Sequence, residues 1–182
     1  MPSQSPVDLG VAVEGGAGEL RVRYNPAVSH GHDAGATLDF TVAGGSAVEY
    51  RGGRYELKAF HFHSPSEHTI DGEFAAAEIH FVHRDTDGNA LVVGVLADEG
   101  EPFVGASRFS EAMNVASLIP ESTTHYAYLG SLTTPPYTED VEWIVFSERV
   151  ALSSEWIEAF SNQYAPNNRA VQPLNDRTIV LG

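Results

Sequence analysis

Cysteine is absent from the chain. That excludes disulfides and any closed thiolate metal site, and it fits a reducing compartment without establishing one. Positive charge is scarce: 10 Lys and Arg stand against 25 Asp and Glu, for a net charge of −15. This balance argues against nucleic acid or an anionic membrane as a partner and favours solubility. No apolar run approaches the roughly 20 residues of a membrane span. No secretory leader follows Met1, so the expectation is either a cytoplasmic chain or a mature chain whose leader has been removed. Internal repeats, low-complexity blocks and linkers are also lacking. Residues 1–182 are therefore expected to form a single domain with a sizeable core.

What is present reads as β-dominated α+β. Strand-like runs recur at Leu20–Tyr24, Thr37–Val42, Ala47–Tyr50, Tyr55–His63, Ala75–His83, Ala90–Ala97, Val141–Phe146 and Thr178–Leu181. Turn residues such as Gly44-Gly45, Gly52-Gly53 and Asp87-Gly88 separate them. Two segments read as helices, Ser107–Ala116 and Ser154–Tyr164. In the second, Ser153 or Ser154 is the expected N-cap, Glu155 lies in the first turn, and Trp156, Ile157 and Phe160 form the core face.

The chemistry concentrates between Tyr55 and His83. Side chains at i and i+2 of a strand share a face, so His61 and His63 project together while Phe60 and Phe62 pack the other way. On the following strand Glu78, His80 and Val82 share a face. Asp71-Gly72 between the two strands signals a hairpin that sets His80 opposite His61 and His63. A histidine pair at this spacing is by itself an ordinary strand feature. A third histidine, preceded at i−2 by a carboxylate on a facing strand, is what turns the pair toward metal binding. Three imidazoles suit Zn²⁺ and leave its fourth tetrahedral position for water, the catalytic arrangement. His68 and His83 read as structural or solvated.

Five motifs then carry a resemblance: Gln4–Leu9 (QSPVDL), Phe60–Gly72 (FHFHSPSEHTIDG), Ala76–His83 (AAEIHFVH), Tyr128–Phe146 (YLGSLTTPPYTEDVEWIVF) and Asn167–Arg177 (NNRAVQPLNDR). The chain resembles the α-class carbonic anhydrases, most closely their bacterial branch. The resemblance implies a large, twisted, mostly antiparallel central sheet with a few peripheral helices and zinc at the base of a conical cleft. It implies His61, His63 and His80 as ligands and Glu78 as the acceptor that orients His80. Thr133 is implied as the hydroxyl that donates to Glu67 and accepts from zinc-bound hydroxide, with Thr134 beside it contacting substrate and water. Val82, Val92, Leu132, Val141 and Trp143 are implied as the apolar wall for CO₂. The implied reaction is reversible hydration of CO₂ to bicarbonate and a proton. Two other readings stay open: a non-catalytic binding or scaffold relative, and esterase activity on small esters by the same site.

The sequence departs from the family at four places. The first motif begins at Gln4, which leads us to expect a more open, wetter cleft and an edge that a second copy could cover as a homodimer. Ala59 replaces the usual Gln that holds the first ligand's other ring nitrogen. Ala36 falls where fast members carry a proton-shuttling histidine, and His30 and His32 are the nearby substitutes. Tyr137 stands where many bacterial members have a disulfide-forming Cys. Turnover limited by proton transfer is the resulting expectation.

Overall fold

The computed structural model describes residues 1–26, 28–101 and 113–182. Nine strands carry the main sheet: β1 (Leu20–Arg23), β2 (Gly31–Asp33), β3 (Leu38–Thr41), β4 (Ala47–Tyr50), β5 (Gly53–His63), β6 (Ala77–Arg84), β7 (Ala90–Glu99), β8 (His125–Ser131) and β9 (Glu139–Phe146). The short strands Val13–Glu14, Val150–Leu152 and Val180–Leu181 complete a 12-stranded sheet. Its spatial order is Val13–Glu14, Val180–Leu181, β8, β9, β7, β6, β5, β3, β2, with β4 bridging β1 and β5. Pairing is mostly antiparallel. The parallel exceptions are β7 with β9, β7 with Val150–Leu152, and Val13–Glu14 with Val180–Leu181.

Alternation along the central strands places an apolar layer on each side of the sheet. On one side Phe60 and Phe62 of β5, Ile79 and Phe81 of β6 and Val93 and Val95 of β7 are fully buried. The Phe40 and Phe60 rings stack there with centroids 4.5 Å apart. The helix α1 (Ser154–Tyr164) covers this layer with Trp156, Ile157, Phe160 and Tyr164. Ser153 is its N-cap, its hydroxyl accepting from the Trp156 amide at 3.2 Å. Each large side chain buried this way contributes about 1.5–3 kcal/mol, and the cap about 1 kcal/mol. On the other side Val92, Leu96, Val141, Trp143 and Val145 form a second layer, closed by Val7, Leu9 and Ile179 from the two ends of the chain. The candidate site is built into this second face.

Three expectations need adjustment. Of the helix expected at Ser107–Ala116, residues 107–112 lie outside the described residues. Met113–Asn114 is a short strand, and Val115–Leu118 is a 3₁₀ turn capped by the Asn114 side chain. The Asp71-Gly72 turn joins only the short strands Thr69–Ile70 and Glu73–Phe74, a separate two-stranded sheet. Both turn residues have positive φ, 53° and 81°, as a two-residue hairpin turn requires. Strand β8 was not anticipated from its residues, although Tyr126 and Tyr128 suit a strand. Gly130 near its end breaks the β-branched pattern used to find the others. Among the described residues no helix is long and apolar enough to cross a membrane.

Candidate metal centre

Register brings the three histidines together. In the antiparallel pairing of β5 with β6, His80 lies opposite His61 and Glu78 opposite His63. Directly opposed residues point to the same face, so the three imidazoles converge. One ring nitrogen of each lies within 4.8 Å of those of the other two. His63 and His80 are buried, whereas His61 is half-buried.

Two of the rings are held. Nδ1 of His63 bonds the carbonyl of Asn167 at 3.0 Å, leaving Nε2 buried without a partner. His80 donates through Nε2 to Oε1 of Glu78 at 2.9 Å, which turns its Nδ1 toward the other histidines. Glu78 is itself fully buried and accepts three further bonds. The amides of Glu67 and His68 donate to Oε2, and Nδ1 of His68 donates to Oε1. Gly94 stands opposite His80 on β7. A Cβ there would come within 2.9 Å of Oε1 of Glu78, so glycine leaves the room this carboxylate uses. Burial alone would raise the Glu78 pKa. The positive character of His68 and His80, with their hydrogen bonds, outweighs it and holds the carboxyl well below the usual range.

His61 differs. Neither of its nitrogens has a hydrogen-bond partner among the described residues, as Ala59 in place of a polar side chain leads one to expect. Burial, and then the neighbouring His63 and His80, pull its pKa well below the usual histidine value. Burial, and then His80, bring His63 to about 3. Both rings are therefore neutral, the form that binds metal. For His80 burial works the same way, but the charge and hydrogen bond of Glu78 overcome it and raise the pKa. A trio of imidazole donors with a buried, unpartnered nitrogen on His63 fits a divalent metal that takes nitrogen ligands. A second His/Glu group, His68 with Glu78 and His80, is already saturated by its own hydrogen bonds.

Beside the trio lies a cavity of about 210 Å³. Val82, Val92, Leu132 and Trp143 form its apolar part, and Thr133 and Thr134 its polar rim. Val141, expected on this wall, shares the face and the apolar layer of Trp143 but is not among the residues that line this cavity. Glu67 is 1% exposed. Its Oε1 accepts from the Arg169 amide at 2.6 Å, and its Oε2 has no hydrogen bond. Burial raises the Glu67 pKa, partly offset by His80, by the Thr133 hydroxyl and by the Arg169 amide. The Thr133 hydroxyl thus faces Glu67 without a fully formed hydrogen bond.

His68, expected to be structural or solvated, is structural. Its Nε2 meets the Tyr128 hydroxyl at 2.6 Å, and that hydroxyl meets Oγ of Ser5 at 2.9 Å. His83 is buried on the opposite face of β6, between the Tyr24 hydroxyl and the Leu91 carbonyl. His32 on β2 is 3.7 Å from Asp39, which pairs in register with His61. His32, Asp39, His61 and His80 thus form one lateral row across four strands. His30 is exposed just outside β2. Tyr137, with no disulfide available, is held by Gln4 on its carbonyl and by the Arg169 guanidinium over its ring at 3.8 Å.

Sequence reasoning missed Asn167, whose side chain and carbonyl tie His63, Ser64, Phe62 and Ala36 together. It lay within a motif that was noted, but only its separation of about a hundred residues from its partners, closed by folding, makes it part of the site.

The profile of the family described as eukaryotic-type carbonic anhydrase matches residues 1–100 and 99–181. A carbonic anhydrase from Neisseria gonorrhoeae is 33% identical over 98% of this chain and 77% of its own length. The alpha-carbonic anhydrase of Photobacterium profundum superposes with a TM-score of 0.91 at 33% identity, covering 98% of this chain and 88% of its own. That of Thermovibrio ammonificans, solved with the inhibitor sulfanilamide, gives 0.89 at 37% identity, with 98% and 86% covered. On profile, identity and fold together, the chain belongs to the eukaryotic-type, or alpha, carbonic anhydrase family.

Proposed function

We propose that this protein catalyses the reversible hydration of CO₂ to bicarbonate and a proton, with zinc held by His61, His63 and His80. The convergence of three imidazoles beside a small, largely apolar cavity carries this reading. Zinc in that position supplies Lewis acidity that brings the deprotonation of water to about pH 7; carbonic anhydrase is the standing example of this figure, which we adopt rather than derive.

The remaining work falls to the chain. Val82, Val92, Leu132 and Trp143 exclude water and give nonpolar CO₂ a surface it prefers to solvent. Glu78 fixes the ring of His80 and the Asn167 carbonyl fixes that of His63, so the donors need no reorganisation. Thr133 aims the attacking oxygen. Its hydroxyl faces Glu67, and once its proton is committed to that carboxylate it can only accept, which leaves the attacking oxygen's lone pair for the carbon. Thr134 contacts substrate and water at the rim. The released proton must cross from the site to solvent. His32 stands exposed in the row that leads outward through Asp39, with His30 next to it. Because His32 lies on an outer strand, proton export limits turnover.

Stopped-flow CO₂ hydration on zinc-loaded and chelator-treated protein tests the reading. Zinc-dependent activity that sulfanilamide blocks is expected. Stoichiometric zinc with no hydration activity would instead make the chain a non-catalytic binding relative.

A further inference from the structure

Cations are informative in a chain with 25 acidic and only 10 basic side chains. Most of those described are spent on neighbouring carboxylates: Arg21 on Glu19, Arg23 and Arg54 on Glu49, Arg51 on Glu142, Lys58 on Glu56, Arg149 on Asp98. Arg169 and Arg177 lack a carboxylate but donate to two and three oxygen acceptors respectively and lie over the rings of Tyr137 and Tyr128. Arg84 is the exception among the described residues. Its sole partner is a neutral one, the Gly88 carbonyl, bonded to Nη1 at 2.9 Å.

Two carboxylates beside it, one across the strand pairing and one next in the chain, are committed elsewhere. Glu56, opposite Arg84 on β5, binds Lys58 at 2.8 Å. Asp85, its chain neighbour, accepts from the amides of Asp87 and Asn89 and from the Asn89 side chain. Most of the five N–H donors of this guanidinium are therefore uncommitted.

Its placement gives those donors a direction. Arg84 follows His80 and Val82 on the same face of β6, and it lines the 210 Å³ cavity with His61 and Thr134. It also lines an adjoining groove of about 410 Å³ that holds Arg54 and Lys58. It is the residue the two spaces share. Opposite Val82 on β5 is Ala59, whose methyl group leaves the side open, where the pairing of the two strands slips by one residue.

We propose that Arg84 binds the anionic partner of the reaction, holding bicarbonate and similar small planar oxyanions on the His61 side of the pocket. The inference rests on the function proposed above. CO₂ is neutral and gains nothing from a fixed charge, whereas bicarbonate is an anion approaching a chain of net charge −15. A planar, always charged guanidinium suits a planar oxyanion through two parallel N–H bonds. It offsets the repulsion of the surrounding acids where the cavity meets the adjoining groove.

The test is calorimetric titration of sodium nitrate and of sodium bicarbonate into zinc-loaded wild type, Arg84→Met, Arg84→Lys and Arg54→Met, with zinc content and unfolding temperature measured for each. The expected result is a Kd for both anions raised about three- to tenfold in Arg84→Met, the effect of one unit charge across a partly hydrated pocket. Arg84→Lys restores part of the loss, Arg54→Met leaves both affinities unchanged, and the KM for CO₂ holds in all four. Wild-type affinities in a zinc-loaded, folded Arg84→Met overturn the proposal. So does an equal loss in Arg54→Met, which would mark a bulk charge effect. Failure of the wild type to hydrate CO₂ would sink the assigned reaction through the activity assay, separately from the anion titrations.

Discussion

The site has a braced side and a loose side. His63 and His80 are buried, each with one nitrogen fixed by Asn167 or Glu78. His61 is half-buried, without a hydrogen bond among the described residues, and bordered by Ala59 and the strands running out to His32. The contrast separates two tasks. Under the function proposed above, the braced pair sets the geometry for the metal, and the loose side serves the passage of substrate, anion and proton.

Removing a braced ligand should have the largest effect. His80→Ala is expected to lose stoichiometric zinc and to drop CO₂ hydration to background, measured by elemental analysis and stopped flow. Glu78→Ala leaves His80, His68 and two buried amides without their acceptor. It should lower zinc affinity about 10–100-fold and destabilise the fold by about 3–5 kcal/mol, read by competitive chelation and urea unfolding. If Glu78→Ala binds zinc like wild type, the division into braced and loose sides is wrong.

A pH test sharpens the same contrast in burial. His83, sealed behind β6 and held by Tyr24 and Leu91, has its pKa lowered by burial to about 3. An unfolded histidine titrates near 6.5. Between these values the unfolded chain takes up a proton that the native chain refuses. His83 therefore contributes its full stability above about pH 6.5, and that contribution is lost as pH falls toward 3. The loss amounts to roughly 4–5 kcal/mol over the window. In His83→Gln the acid limb of a stability-against-pH curve should flatten. Identical slopes in variant and wild type would contradict the lowered pKa.

The loose side can be tightened. Ala59→Gln should give the free nitrogen of His61 a partner and strengthen zinc binding by about tenfold, the lower end of such effects. The smallest effect is expected from buffer. If His32 is a slow exit for the proton, imidazole should raise kcat several-fold and leave kcat/KM unchanged. A high kcat at low buffer that imidazole does not alter would show that proton export is already fast.

Much of this site was legible in the residues. His61, His63, His80 and Glu78 obey the two-residue period of a strand, and that period holds wherever a strand forms. Helix α1 was legible for a similar reason, since its apolar face lies within eleven residues and its cap immediately precedes them. Strand β8 was not, because an isolated run containing Ala127 and Gly130 becomes a strand through its pairing with β9. Nor was the full lining of the cavity: Trp143 lines it while Val141, two residues away on the same face, does not, and only packing decides between them.

Local chemistry, then, was the sequence's own contribution. Alternation, turn residues and the choice of histidine determine which side chains share a face, because they depend on bonds between near neighbours. Tertiary structure alone decided which partners reach them. Asn167 meets His63 across 104 residues and Arg169 meets Glu67 across 102, while Arg84 is left with the Gly88 carbonyl because Glu56 and Asp85 found other partners. Such outcomes depend on which distant surfaces the folded chain presses together, and on competition among acceptors that exists only once it has done so.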